Sequence, residues 1–178
     1  MSDRAPTSFQ IATRAIRQLL IADDATLSSH CKLDTFRGPG PGGQKRNKTS
    51  SGVRVTHEST GLCSTATESR DQSKNRELAL RRLRMQMAYM LRRIGDESLE
   101  ELKCESSWID TSPKSERYPL IVALVFDVLD SHAWTVFLAA ENLGVSTGQL
   151  SNFLTRDDDV LNEVNRHRKK LGMKNLGR

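Results

Sequence analysis

Between Arg37 and Thr49 the sequence reads Arg-Gly-Pro-Gly-Pro-Gly-Gly-Gln-Lys-Arg-Asn-Lys-Thr, a stretch holding four of the chain's eleven glycines, two of its five prolines and four cationic side chains. It contains no Asp, Glu, His, Cys, Ser or Tyr. Glycine permits positive φ and lets another molecule approach the backbone, whereas Pro39 and Pro41 fix φ and remove donors. The stretch therefore predicts an extended, partly stiffened loop with Gly42-Gly43-Gln44 at its tip. Such a tip has no general base and no strong nucleophile. Any chemistry it performs must come from backbone amides and the Gln44 carboxamide, in a reaction whose other parts lie elsewhere.

A loop of this kind needs a rigid base, and the flanking residues supply one. A strand near Lys32 to Phe36 leads into it, and Val53 and Val55 alternate with Arg54 and Thr56 in a second strand. Glu58-Ser-Thr-Gly61 carries turn chemistry, and Leu62 to Thr67 reads as the returning strand of a hairpin. From Asp71 the period changes. Leu80, Leu83, Met87, Met90 or Leu91, and Ile94 recur at spacings of three and four, which predicts a helix to about Arg93, with Gly95 as its stop. Met85, Met87 and Met90 read as core packing. Before the sheet, residues 8–21 predict a short helix ended by Asp23-Asp24.

The Gly-Gly-Gln tip, the following Asn47-Lys48-Thr49, the strand Gly52-Val53-Arg54-Val55-Thr56-His57, the turn Ser59-Thr60-Gly61 and the later Gln72-Ser73-Lys74-Asn75-Arg76 resemble the catalytic domain of class I peptide chain release factors. Order and spacing agree from near Leu27 to near Gly95. The resemblance implies a loop that reaches the peptidyl transferase centre of the large ribosomal subunit and promotes hydrolysis of the peptidyl-tRNA ester. On that basis Gly42, Gly43 and Gln44 are the catalytic candidates. Arg37, Lys45, Arg46, Asn47, Lys48, Arg54, Gln72, Asn75 and Arg76 are the candidates for binding ribosomal RNA or supporting the domain that does. Many members of the family have His-Val where this chain has Lys45-Arg46. His57 follows the motif at a strand end and reads as a structural histidine rather than a base. No cofactor or metal is implied.

Codon-reading release factors carry a Pro-x-Thr or Ser-Pro-Phe motif in a separate domain before the catalytic one, and neither occurs in this sequence. The resemblance therefore points to a ribosome-rescue hydrolase that does not read stop codons. The alternative is a non-catalytic ribosome- or RNA-binding adaptor that recruits a protein partner through its C-terminal helices.

Charge supports a polyanionic partner. Residues 1–95 carry 17 Lys+Arg against 8 Asp+Glu, whereas residues 96–178 carry 10 against 14. A cationic surface attracts phosphate backbones without reading sequence. Arg76, Arg81, Arg82, Arg84, Arg92 and Arg93 of the long helix could face ribosomal RNA or simply solvate its outer side. Cys31, Cys63 and Cys104 lack metal-ligand spacing and do not complete a disulfide set, and no apolar run reaches membrane-spanning length. A cytoplasmic setting is expected.

The fold class expected is α+β, with a small sheet bearing the loop and a packed long helix, followed by a small all-α domain. The expected organisation is an N-terminal helical extension (1–26), the catalytic domain (27–95), an acidic segment and linker (96–116) and a helical domain with a basic end (117–178). In the last, helices are predicted over Tyr118–Leu129, Ala133–Leu143, Ser146–Thr155 and Asp157–Leu171. Ser146 reads as an N-cap, and Leu143-Gly144-Val145-Ser146 as the turn of a helix-turn-helix. The second helix has few cations and is followed by Asp157-Asp158-Asp159, which would repel phosphate, so the segment reads as a packing or docking module rather than a DNA reader. The Asp triplet suits a helix N-terminus. The end of the chain resembles the basic tail of rescue enzymes loosely, and Leu171, Met173 and Leu176 suggest that part of it packs.

Overall fold

The alternation of Val53 and Val55 with Arg54 builds the central strand of a three-stranded antiparallel sheet, in the order β1 (Cys31–Phe36), β2 (Gly52–His57), β3 (Cys63–Ala66). The computed structural model describes residues 17–37, 50–90 and 107–177. The expected helix over residues 8–16, the loop residues 38–49, the segment 91–106 with Cys104, and Arg178 lie outside the described residues. The described chain is α+β, as expected: the sheet and a long helix, then several further helices. It divides into two compact units, one spanning residues 16–87 and the other, among described residues, 88–90 and 107–177.

In the first unit Val53, Val55 and His57 point to the buried face of β2, and Ser64 and Ala66 do so from β3. Against them packs α2 (Gln72–Met90), contributing Ala79, Leu80, Leu83 and Met87, all buried. The Ser64 hydroxyl donates to the Ala79 carbonyl at 2.6 Å, fixing helix to sheet. Met90 was expected in this stripe but is 57% exposed. Met90 is the last residue of α2, past the last sheet-facing position at Met87.

Asp23-Asp24 does not simply end the preceding helical turn at Arg17–Gln18. Asp23 caps a new short helix, α1 (Asp24–Ser29), accepting from the Thr26 amide at 2.6 Å. That bond holds the Asp23 carboxyl below its ordinary pKa. Aspartate serves a helix start better than a helix end because the orphan donors are at the start. Leu27 of α1 is fully buried.

The second unit is centred on α3 (Tyr118–Ser131), buried on nearly all sides through Ile121 to Phe126, Val128 and Leu129. Such all-round apolarity belongs to a central helix. Around it run α4 (Val136–Leu143), α5 (Thr147–Thr155) and α6 (Asp158–Lys170). A 3-10 turn at Trp108–Asp110, within the segment read as linker, is buried at Trp108 and Ile109. Arg156 donates to the Ile109 and Thr111 carbonyls at 2.7 and 3.2 Å, tying that turn to the end of α5.

The helix expected from Ala133 begins instead at Val136, because Ala133 and Trp134 take positive φ of 48° and 60°. The left-handed turn lets the Trp134 amide donate to Leu129 O at 2.7 Å. It also buries the indole between Phe126 (5.4 Å between centroids) and His167 (stacked at 4.0 Å), with Nε1 donating to Asp130. Left-handed geometry costs each L-residue about 1–2 kcal/mol, and burial of the indole among aromatic rings offsets that cost.

Gly144, at φ 70°, makes the expected turn. Its amide donates to Glu141 O and that of Val145 to Ala140 O, the pairing of a Schellman stop. Ser146 then caps α5 in a capping box with Gln149. Asp157 caps α6, accepting from Asp159 and Val160, with Asp158 and Asp159 in the first turn. The last residues fold back along α6, but not through Leu171, which is 53% exposed. Polar groups hold them: Asn165 exchanges two hydrogen bonds with the Leu176 backbone, at 3.0 and 2.7 Å.

Candidate functional site

Residues Gly42, Gly43, Gln44, Lys45, Arg46, Asn47 and Lys48 lie outside the described residues, so the site is built from the base on which they stand. Phe36, the last residue of β1, pairs with Gly52, the first of β2, and the glycine-rich segment connects them. A Cβ at Gly52 would stand 2.9 Å from the Phe36 carbonyl oxygen and 3.1 Å from two of its ring carbons. Only glycine permits that approach. The Phe36 ring also lies 5.7 Å from the guanidinium carbon of the exposed Arg54, a cation–π contact on the open face of the sheet. Arg37, next to Phe36, is exposed.

The other end of the loop is held by the start of α2. Asn75 is fully buried, and its amide donates to Ser51 O at 2.7 Å and to Ser69 O at 2.9 Å while accepting from Ser69 N at 2.8 Å. Gln72 donates to Ser50 O at 3.2 Å. The helix can place both side chains there because Asp71 organises its first turn, accepting from Ser73 N with its carboxylate and from Asn75 N with its carbonyl. Gln72, although exposed, and Asn75 thus pin two consecutive carbonyls of the descending chain.

Among the predicted RNA-binding residues, Arg37, Arg54 and Gln72 gather at the loop base and remain exposed, whereas Asn75 is enclosed with both amide hydrogens and its oxygen engaged by protein. Arg76 is exposed but donates to Ser28 Oγ at 3.1 Å. Two other arginines of α2 are also engaged within the unit. Arg82 donates to Thr65 O and Glu68, lowering the Glu68 pKa, and Arg84 donates to Asp24 and Ala22 O.

His57 is 1% exposed, with Nδ1 2.8 Å from Thr60 Oγ1. Its backbone closes the hairpin, donating to Leu62 O and accepting from Gly61 N, the latter residue at φ 69°. Burial, and then the nearby His30, push its pKa below 6.5, while Glu58 opposes them. A buried neutral imidazole closing a turn is a structural group. No cluster of His, Cys, Asp and Glu able to hold a metal occurs among the described residues.

Sequence reasoning did not find the roles of Phe36, Ser50, Ser51 and Ser69. Serine carbonyls leave no trace in composition. The one available signal was the single glycine opening a strand with alternating valines, Gly52-Val-Arg-Val, which marks a close backbone approach.

A family model described as the RF-1 domain matches residues 25–119, more than half of the chain. The chain belongs to the RF-1 domain family. The RF-1 match contains the glycine loop, its base and all of α2, and extends past Gly95 to the start of α3. Peptide chain release factor 1 of Exiguobacterium sibiricum is 35% identical over 109 residues, covering 60% of this chain and 30% of that protein. Peptide chain release factor 2 of Borreliella burgdorferi is 32% identical over 126 residues, 69% of this chain and 33% of that one. The mitochondrial peptide chain release factor 1-like protein of Rattus norvegicus is 37% identical over 86 residues, 48% and 22% respectively. The RF-1 domain chain thus spans between 22% and 33% of the length of these relatives.

Proposed function

We propose that this protein hydrolyses the peptidyl-tRNA ester on the ribosome, releasing nascent peptide from stalled ribosomes without reading a stop codon. The observation that carries the reading is Gly42-Gly43-Gln44 within the region matched by the RF-1 domain, on a loop whose two ends are fixed by Phe36–Gly52 packing and by Gln72 and Asn75. The codon-independent part is our reading of residues 1–178, which carry neither codon-reading motif. We assign catalysis to residues 27–95 and target selection to the helices of 117–178.

In this mechanism Gly42 and Gly43 let the tip reach the ester, and the Gln44 amide N–H stabilises the charge that develops on its carbonyl oxygen. The Gln44 side chain orients water and excludes larger nucleophiles. Proton movement belongs to the terminal ribose hydroxyl of the tRNA and to ribosomal RNA, which suits a loop without a base. Lys45, Arg46 and Lys48, with Arg37 and Arg54 at the base, hold RNA phosphates. Asn47 and Arg76 support the RNA-facing surface, and Gln72 and Asn75 act through the loop they anchor. The partners are the large ribosomal subunit and peptidyl-tRNA, the setting is the cytoplasm, and no cofactor takes part. No described helix is long and apolar enough to cross a membrane.

The test is peptide release from ribosomes carrying peptidyl-tRNA in the P site with either no codon or a stop codon in the A site. Release in both cases, lost in Gln44→Ala while ribosome binding persists, is the expected result. Release only with a stop codon overturns the codon-independent part. Tight binding without release from the intact chain leaves the adaptor reading.

A further inference from the structure

The charges of the helical unit are sharply segregated. Residues 107–163 hold 3 Lys+Arg and 9 Asp+Glu, whereas residues 164–178 hold 6 Lys+Arg and no acid. Within α6 the segregation also has a direction. Val160 and Val164 mark the buried side of the helix. At 100° per residue, Lys169, Arg166 and Lys170 lie roughly 140°, 200° and 240° around it from Val164, in one outward sector, and all three are exposed. Along the axis they span roughly 6 Å. Glu163 accepts from Arg166 and lies 3.2 Å from His167 Nε2, whereas Lys169 and Lys170 have no ion-pair partner among the described residues.

The returning chain leaves this sector open. Gly172, at φ 70°, makes a Schellman stop, with its amide on Lys169 O and that of Met173 on Arg168 O. The chain then passes along one flank of α6, where Arg168 Nε donates to Lys174 O at 2.9 Å and Asn165 exchanges its two bonds with Leu176. Arg168 and Asn165 lie roughly 40° and 100° from Val164, between the buried side and the lysines. The far end of the outward sector is acidic, since the exposed Asp158 and Asp159 fall roughly 120° and 220° from Val164. Roughly 16 Å along the axis separates Asp158 from Lys169. The helix dipole favours each sign of charge at its own end, but it does not select one side of the helix.

Closely spaced cations on an uncovered helix face attract a chain that repeats its negative charge at every unit, as a phosphate backbone does. We propose that Arg166, Lys169 and Lys170 form a contact for the phosphate backbone of RNA. The strand crosses α6 at its C-terminal end, because Asp158 and Asp159 repel one laid along the axis. Phosphate contacts carry no sequence information, so binding is independent of base identity. The choice of RNA among polyanions rests on the ribosomal reading, whereas the contact itself depends neither on hydrolysis nor on the glycine loop.

The experiment measures fluorescence anisotropy of a labelled oligouridine of about 20 nucleotides, a few site sizes long, with the full-length protein across a salt series, without ribosomes. All proteins carry Lys45→Ala, Arg46→Ala and Lys48→Ala to silence the loop, so failure here leaves the hydrolysis reading untouched. The triple change Arg166→Gln, Lys169→Gln and Lys170→Gln should lower the salt slope by about 2, the value for three lost single-strand phosphate contacts. The double change Lys169→Gln and Lys170→Gln leaves the Glu163 contacts in place and should lower it by about 1.4, which keeps the test decisive if the triple variant does not melt like its parent. Lys114→Gln, at an exposed lysine of the same unit outside the patch, should leave the slope unchanged. Asp158→Asn with Asp159→Asn should change affinity less than about twofold at 0.15 M salt, where the Debye length is about 8 Å. Unlabelled oligocytidine should compete as well as oligouridine. A slope unmoved by both α6 variants overturns the proposal, and so does an equal loss of slope in Lys114→Gln, which would mark a diffuse attraction. A gain of about tenfold or more in the Asp158 and Asp159 variant overturns the crossing geometry. Displacement of the RNA by polyglutamate at lower concentration than by unlabelled oligouridine also overturns the proposal, pointing instead to an acidic protein partner.

Discussion

Asn75 donates to the Ser51 carbonyl at 2.7 Å across 24 residues of sequence, so that the first turn of α2 holds the descending end of the glycine loop. The same amide closes on both polar groups of the Ser69 backbone. Asn75→Ala would leave three backbone groups of half-buried residues without this partner at a fully buried side-chain position. At about 1–3 kcal/mol for each buried group left unpaired, and with partial relaxation, a loss of about 2–4 kcal/mol is expected in urea unfolding. Asn75→Asp keeps the acceptor but loses both donors, and should also be destabilised. In release assays the exposed Gln72→Ala is the more informative change, since it removes only the bond to Ser50. It should lower the release rate at saturating protein more than ribosome affinity; equal release by Gln72→Ala and the parent protein would show that this contact does not position the loop.

Gly52→Ala should cost about 1–3 kcal/mol, the range for forcing an extra methyl into a packed position. The nearest atom to the new Cβ is the Phe36 carbonyl oxygen, with ring carbons slightly farther away. Truncating Phe36 would therefore not rescue the variant. If the double change Phe36→Ala/Gly52→Ala were as stable as Phe36→Ala alone, the ring rather than the backbone would be the obstacle.

His57 makes stability pH-dependent in a defined sense. Burial first, and then His30, lower its folded pKa below 6.5, so the unfolded chain binds more protons than the folded one in acid. The contribution is complete above pH 6.5 and is lost as pH falls from there through the lowered folded value. Urea midpoints should hold steady above neutrality and decline on acidification. His57→Gln should flatten the part of that decline nearest pH 6.5; an unchanged slope would assign it to other groups.

The elements announced by periodicity were legible. Val53-Arg54-Val55 specified a half-buried strand, Leu80, Leu83 and Met87 a helix face, and the unbroken apolar run after Tyr118 a central helix. Ser146 and Gly144 were legible because capping and left-handed stops have narrow residue preferences. Asp23 misled because aspartate can follow one helix and cap the next, and only the position of Thr26 decides between them. The left-handed Trp134 could not be read locally, since the ring stacked on it, His167, comes from a helix far along the chain. At the site, sequence identified the loop and the side chains beneath it, but not that Asn75 spends its amide on Ser51 and Ser69. Distant backbone partners have no residue type to announce them.

The arginines of α2 illustrate the same ambiguity and give the sharpest separation of structural from RNA-facing charge. Arg84, only 12% exposed at its side chain, donates to Asp24 and to the Ala22 carbonyl, joining α2 to the chain before the sheet. Arg84→Ala leaves that carbonyl and carboxylate without their partner and should cost about 1.5–3 kcal/mol, the range for hydrogen bonds to a charged group. Arg54 instead rests on Phe36 at the loop base and is exposed, so Arg54→Ala should cost less than about 1 kcal/mol in stability. Ribosome binding should reverse that order: the salt dependence of binding falls for Arg54→Ala and stays unchanged for folded Arg84→Ala. A reduced salt slope in Arg84→Ala, measured under conditions where the variant is fully folded, would place Arg84 against RNA despite its bonds within the unit.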